Sequence, residues 1–204
     1  MRILLTSFVL FFLAGCASYP KRNNFKAINS PVYQQKQLNP YFSDATKDYV
    51  YKAKIEAFDK TFGGLFIIKK IGLNHHRVVF STEMGNTIFD FTFQEGEFKI
   101  NRILKEMDKK ILITILKRDL QALIIENPFI TETYSVEDKV VVESEILSKK
   151  HYFYLQDKQL QKIVRAKNGK PNVTLEFNDI EERQVKNVEI THQNIKLKIS
   201  LSAI

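Results

Sequence analysis

A period of two, sustained from Asp48 to Ile103 and again from Val140 to Leu201, is the feature that most restricts what this chain can fold into. Alternation of large apolar residues with small or charged ones places the two sets on opposite faces of a strand, so each run is half-buried. Tyr49–Phe58 reads as the first strand, followed by Phe62–Ile71, His76–Ser81, Thr87–Phe93 and Glu97–Ile103. Turns at Gly72-Leu73-Asn74, Glu83-Met84-Gly85-Asn86 and Gln94-Glu95-Gly96 join them into an antiparallel meander. The Gly63-Gly64 pair predicts a bulge or bend of the kind that curved sheets need.

The period then changes. Leu112, Leu116, Leu120 and Leu123 line one face of a helix from about Lys109 to Ile125, and Lys110, Thr114, Lys117, Arg118 and Gln121 crowd the other. Asp108 reads as its N-cap, and Asn127-Pro128 ends it, because a residue before proline avoids the helical region. Six more strands follow: Val140–Ile146, Lys150–Leu155, Gln159–Ala166, Asn172–Phe177, Lys186–Thr191 and Ile195–Leu201. Asn168-Gly169 is a strong tight-turn signal between two of them.

About eleven strands cannot lie in one flat sheet; they curl or close. The leucine face of the helix needs an apolar surface, and the inside of a curled sheet is the large one available. The expected fold is therefore mainly β with helices: a curled antiparallel sheet forming an incomplete half-barrel, with a helix lid across the opening. Hollows in barrel mouths bind ligands. Phe66, Phe80, Phe89, Phe91 and Phe93 on the strands, with Leu112, Leu116, Leu120 and Leu123 on the helix, are the candidates to line such a hydrophobic cavity.

The N-terminus carries a different message. Arg2 precedes a short apolar run through Phe12, and the run closes on Leu13-Ala14-Gly15-Cys16. A basic start, a brief apolar middle and small residues form a secretory signal. The last four residues resemble the lipobox of bacterial lipoproteins. That resemblance implies a signal peptide over residues 1–15 and a diacylglycerol on the sulfur of Cys16. The apolar run is too short to span a bilayer, which needs roughly 20 residues. Residues 16–47 then read as the lipidated cysteine and a polar tether, in which Tyr33, Leu38, Tyr41 and Phe42 can pack, and residues 48–204 as the domain. Cys16 is the one cysteine, so no disulfide supports the fold and the core must supply its stability. Ala17-Ser18 lacks the acidic residue that keeps some lipoproteins in the inner membrane. The reading is an outer-membrane, lipid-anchored, periplasm-facing monomer.

The formal net charge of +8 favours anionic partners such as lipid head groups or acidic proteins. Without a long basic run, nucleic acid is not among them. Catalytic constellations are missing too: there is no G-x-S-x-G, H-E-x-x-H or phosphate loop. His75 and His76 are adjacent on a strand and face opposite ways, so they cannot chelate one ion together, even with Glu83 near. Asp90 alternates with phenylalanines and suits water or a cross-strand lysine. Asp119, at the edge of the leucine stripe, suits a Lys or Arg partner near the lid. Asn172-Val173-Thr174 matches a glycosylation sequon by chance. The expectation is no enzyme, no metal and no cofactor.

The stretch Arg77 to Ile100, RVVFSTEMGNTIFDFTFQEGEFKI, holds a basic residue, an apolar strand, a tight turn with one large apolar residue before glycine, and two more strands. It resembles the LolA/LolB lipoprotein-localisation family, on the side of the outer-membrane receptor LolB. The ending, Asn187–Thr191 and then the alternating Ile195–Leu201, resembles that family as well. The resemblance implies a half-closed barrel whose hollow takes up acyl chains of lipoproteins delivered by a periplasmic LolA-like carrier. It further implies insertion of that cargo into the outer membrane. Met84 matches the hydrophobe at the tip of the family's protruding, membrane-inserting loop; methionine, large and flexible, suits that place. The alternative from another class is an accessory or scaffold lipoprotein that binds a protein partner and transfers nothing.

Overall fold

The computed structural model describes residues 17–29 and 37–204. The signal peptide, Cys16 and Tyr33 lie outside the described residues. The elements in chain order are α1 (Tyr19–Arg22), β1 (Lys26–Ala27), β2 (Asp48–Ala57), β3 (Lys60–Gly72), β4 (His75–Ser81), β5 (Thr87–Gln94) and β6 (Glu97–Ile103). Then come α2 (Lys110–Ile124), β7 (Ile130–Val136), β8 (Lys139–Ile146), β9 (Lys149–Gln156), β10 (Gln159–Lys167), β11 (Lys170–Glu181), β12 (Gln184–His192) and β13 (Leu197–Ala203).

All thirteen strands belong to one antiparallel sheet, in the order β1-β7-β8-β9-β10-β11-β12-β13-β2-β3-β4-β5-β6. The sequence count of eleven missed β1 and β7. β1 is two residues long and has no periodic signal. β7 does alternate, with Ile130, Tyr134 and Val136 at even spacing, but it follows Asn127-Pro128 and reads as part of that loop. The two halves of the meander join where β13 pairs β2, with Ile199 opposite Ile55 and Leu201 opposite Ala53. The chain therefore leaves one edge of the sheet at β6 and, after α2, re-enters beside the other edge at β7.

The sheet curls, and α2 shows it. Lys117 Nζ stands 5.4 Å from the ring centre of Phe98 on β6. Two residues on, Asp119 hydrogen-bonds Arg165 on β10 and His192 on β12. Eight steps separate β6 from β10 in the sheet order, which would be roughly 38 Å in a flat sheet. One helix reaches both only because the sheet wraps around it. Its leucines then share one core with the inward residues of strands β2 to β5 and β8 to β13.

The helix start differs from expectation. Lys109, in extended conformation, is the N-cap and gives no side-chain cap, so Asp108 does not fill that role. Gly63-Gly64 differs as well. The β2–β3 register runs unbroken through the pair, so no bulge forms there. Instead, a Cβ on Gly64 would stand 1.9 Å from the Ser81 carbonyl oxygen, so the glycine lets two backbones approach closely at the end of β4.

Over its described parts, the stretch expected as a tether is packed. Tyr19 and Phe25 cover Val141, Tyr152, Tyr154 and Val164 on the outer face of β8–β10, and β1 pairs β7. Tyr19 and Tyr154 share a hydroxyl hydrogen bond of 2.6 Å. This cover buries β8 and β9 on both faces over most of their length, where alternation alone predicts half-buried strands. Leu38, Tyr41 and Phe42 are buried in the main core.

Candidate functional site

The concave face under α2 is the site the fold builds. Phe66, Phe80, Phe89 and Phe91 are fully buried there, with Phe93 2% exposed. Register explains the grouping: Phe66 sits opposite Phe80, and Phe80 opposite Phe89. Phe89 and Phe91 stack at 4.5 Å, and Phe66 meets Phe89 edge-on at 6.0 Å. Leu112, Leu116, Leu120 and Leu123 close the face from above and join the same core. The phenylalanines expected to line a hollow therefore share the inner face, as one of the two options the alternation left open. They pack on one another and share one core with the helix, and Phe93 borders a cavity of about 370 Å³ beside the end of α2.

Two polar clusters interrupt this apolar face. At the C-terminal end of α2, Glu126 receives Lys70 Nζ at 2.9 Å and Gln37 Nε2 at 2.8 Å. His76, on the inner face of β4, lies 3.0 Å from the Phe42 carbonyl and 3.5 Å from Glu126. Burial lowers its pKa, with the Phe42 carbonyl and Glu126 working against that shift. His75 points the other way and stays partly exposed.

The second cluster is a register row across β8–β12: Ser144, His151, Arg165, Val173 and His192 stand opposite one another in turn. Asp119 descends from α2 into that row. One of its oxygens takes Arg165 at 3.0 Å and the other His192 at 2.7 Å. All three are buried. The partner expected for Asp119 is an arginine on the sheet itself. His151 Nδ1 donates to the Lys149 carbonyl at 2.8 Å. Its Nε2 and the Ser144 hydroxyl are buried without a partner among the described residues. Burial pushes the His151 pKa down to about 4. Periodicity does not reveal this row, because its members come from five different strands and meet only through their register.

Beside the row lies a cavity of about 620 Å³ between the N-terminal half of α2 and the ends of β9–β13. Lys110, Arg118, Lys149, Arg165 and Lys167 line it, with Ile111, Ile115, Ala166 and Ile195.

Alternate turns of an antiparallel meander fall on one rim. Turns 58–59, 82–86, 147–148, 168–169 and 193–196 share the rim onto which this cavity opens. Met84 is there and is 90% exposed, while Glu83 reaches Lys52 only at 3.9 Å. Phe58 and Ile111 are exposed on the same rim. Phe58 holds a positive φ of 58°, costly for an aromatic residue, and its amide donates to the Lys196 carbonyl at 2.7 Å. Ala17, the residue after Cys16, arrives at this rim too: a Cβ on Gly169 would lie 2.2 Å from its carbonyl oxygen.

Asp90 pairs on the outer face with Arg77 at 2.9 Å and Asn101 at 3.0 Å, an arginine taking the place expected for a lysine. The Arg77 hydrogen bond holds the Asp90 carboxyl below the usual carboxylate range. No group of three or more His, Cys, Asp or Glu side chains converges among the described residues. No helix among them is long and apolar enough to cross a membrane.

Comparison with solved structures places the architecture. A LolA superfamily protein from Nitrosomonas europaea superposes with a TM-score of 0.53 at 10% identity, over 87% of this chain and 92% of that one. The fold is LolA-like. A domain from Vibrio parahaemolyticus, described as an outer membrane lipoprotein-sorting protein, gives a TM-score of 0.45 at 9% identity, over 79% of this chain and 85% of the other. No family model matches the sequence, and no curated protein does. The LolA-like fold is thus shared at 10% identity.

Proposed function

We propose that this protein is a lipid-anchored acyl-chain carrier of the bacterial envelope, which receives lipoproteins or another acyl lipid and passes them to the outer membrane. One observation carries the reading. Among the described residues the two edge strands β1 and β6 are not paired to each other, and a helix whose leucines occupy the concave apolar face spans from β6 to β10 and β12. A sheet closed by one helix opens when that helix lifts, and each acyl methylene that replaces a leucine contact gains roughly 0.8 kcal/mol over water. Lipidation at Cys16 supports a station at a membrane, and acyl chains of that kind hold a protein firmly when several act together. The exposed Met84 supports release there, since its thioether can enter the bilayer surface while the domain stays outside. The similarity to a LolA superfamily protein supports the same reading at the level of the fold.

The test is mass spectrometry of lipids that co-purify with residues 17–204. Stoichiometric acyl lipid, or a triacylated lipoprotein trapped on mixing, is the expected result. A lipid-free protein that also refuses fluorescent fatty acids would overturn the reading and favour the scaffold alternative. Met84→Glu should leave acyl binding intact and abolish transfer to vesicles. Unchanged transfer would remove Met84 from the mechanism.

A further inference from the structure

The 620 Å³ cavity differs in kind from the apolar face beside it. Five of its thirteen lining residues are lysine or arginine, and among the described residues no carboxylate lines it. Lys110, Arg118, Lys149 and Lys167 form no ion pair among the described residues, although most of the other cations on the inner face and strands do. Like charges gathered without counter-charge repel one another, so the arrangement is stabilised by whatever anion enters. Arg165 points the same way. Its guanidinium is buried, and its one hydrogen bond among the described residues goes to Asp119. A guanidinium has five N–H donors in a fixed fork that matches phosphate geometry. Those not spent on Asp119 are left for the cavity that Arg165 lines.

The remaining lining is apolar. Ile111, Ile115, Ala166 and Ile195 sit among the cations, and Ile111 is 59% exposed. A small inorganic anion would leave these side chains in water. An amphiphile with a charged head and an acyl tail would cover both kinds of surface. The volume is that of a small-molecule site. The cavity also opens on the rim that carries Met84 and Ala17, where a lipid would arrive.

We propose that this cavity is a binding site for the phosphate head group of an acyl lipid, held by Arg118, Lys149, Arg165 and Lys167, with its first methylenes against Ile111 and Ile195. The inference rests on the acyl-binding reading and narrows it: the guest is an anionic phospholipid rather than an uncharged acyl chain alone.

The experiment uses the full chain in maltoside micelles and two probes with one fluorescent acyl chain, lysophosphatidic acid and monoacylglycerol, read by anisotropy. Glycerol phosphate serves as the soluble competitor. Lysophosphatidic acid should bind at least about tenfold tighter than monoacylglycerol, as expected for charge-assisted hydrogen bonds. The double variant Arg118→Gln/Lys149→Gln should lose that preference while keeping its thermal midpoint and its monoacylglycerol binding. Both side chains line the cavity and form no ion pair among the described residues, so the described fold does not depend on them. Equal binding of the two probes, or a preference that survives the double variant, would overturn the head-group site and leave the acyl-binding reading standing. Binding of glycerol phosphate with no binding of either acyl probe would overturn both, and would make the cavity a site for a soluble phosphate. No binding of any probe would likewise overturn both.

Discussion

Asp119 on α2 and Arg165 on β10 meet at 3.0 Å, both buried, and they fasten the helix to the concave face of the sheet. His192 completes the contact from β12. Truncating one partner leaves the other charge buried and alone. Asp119→Ala should therefore destabilise the fold by about 3–5 kcal/mol. The joint change Asp119→Leu/Arg165→Met should cost less than Asp119→Ala alone, because no unpaired charge remains. Urea unfolding of the three proteins checks this.

The stacked pair Phe89 and Phe91 shares one core with Leu116, all three with no exposed surface. Phe91→Ala should cost about 3–5 kcal/mol and Leu116→Ala about 2–5 kcal/mol. The cavity left by Phe91→Ala should be apolar and should take up a small hydrophobic probe that the parent excludes. Calorimetry measures the first effect and probe fluorescence the second.

Gly64 makes room for the Ser81 carbonyl oxygen at the end of β4. Backbone on both sides cannot yield as a flexible side chain would. Gly64→Ala should cost more than the ordinary penalty for a strand glycine and should disturb the Met84 turn that follows Ser81. Gly63→Ala has open space and should be neutral or slightly stabilising. Thermal midpoints of the two variants, compared side by side, carry the contrast.

Gly169 combines a φ of +70° with the Ala17 carbonyl packed over it. Gly169→Ala should release the α1 segment from the outer face of β8–β10 and strain the turn by about 1 kcal/mol. Limited proteolysis within residues 17–29 should accelerate while the domain core stays resistant.

Acid should weaken the protein before its carboxylates protonate. The folded-state pKa of His151 is about 4, below the ordinary 6.5, because burial disfavours the charged ring. The unfolded chain thus takes up that proton first as pH falls. The His151 contribution is fully present above pH 6.5 and declines down to about pH 4, by on the order of 3 kcal/mol. His76 shifts in the same direction for the same cause. Asp90, held low by Arg77, adds its loss below the ordinary carboxylate range. His151→Gln should remove close to one proton from the slope of stability against pH between 4 and 6.5, measured by urea unfolding at a series of pH values.

Most strands and the helix were legible because burial repeats along them. Ile55, Phe66, Val78 and Phe91 announce an inner face every second residue, and the four leucines of α2 announce theirs every third or fourth. The Asn168-Gly169 turn was legible because both residues tolerate positive φ, as they do here at 52° and 70°. Leu147-Ser148 and Asp157-Lys158 adopt the same conformation without such a signal, imposed by the strands they join. The site was less legible. Which apolar face turned inward depended on the curl, which is a property of the whole sheet. The row from Ser144 to His192 depended on the register of five strands, and the cationic cavity on three turns and a helix that lie far apart in sequence.

The pairing of β13 with β2 has a further consequence for how the chain can be shortened. In a simple meander the last strand is an edge, and losing it trims the sheet. Here the last strand stands near the middle of the order, between β12 and β2. Deleting Leu197–Ala203 would divide one sheet into two, each with a bare hydrogen-bonding edge facing the gap. The first half of the sheet is likewise unpaired at β2 until Leu197–Ala203, far along the chain, come to it. Assembly is therefore governed by the longest contact in the molecule rather than by its many local hairpins, and folding should be slow for a chain so rich in tight turns.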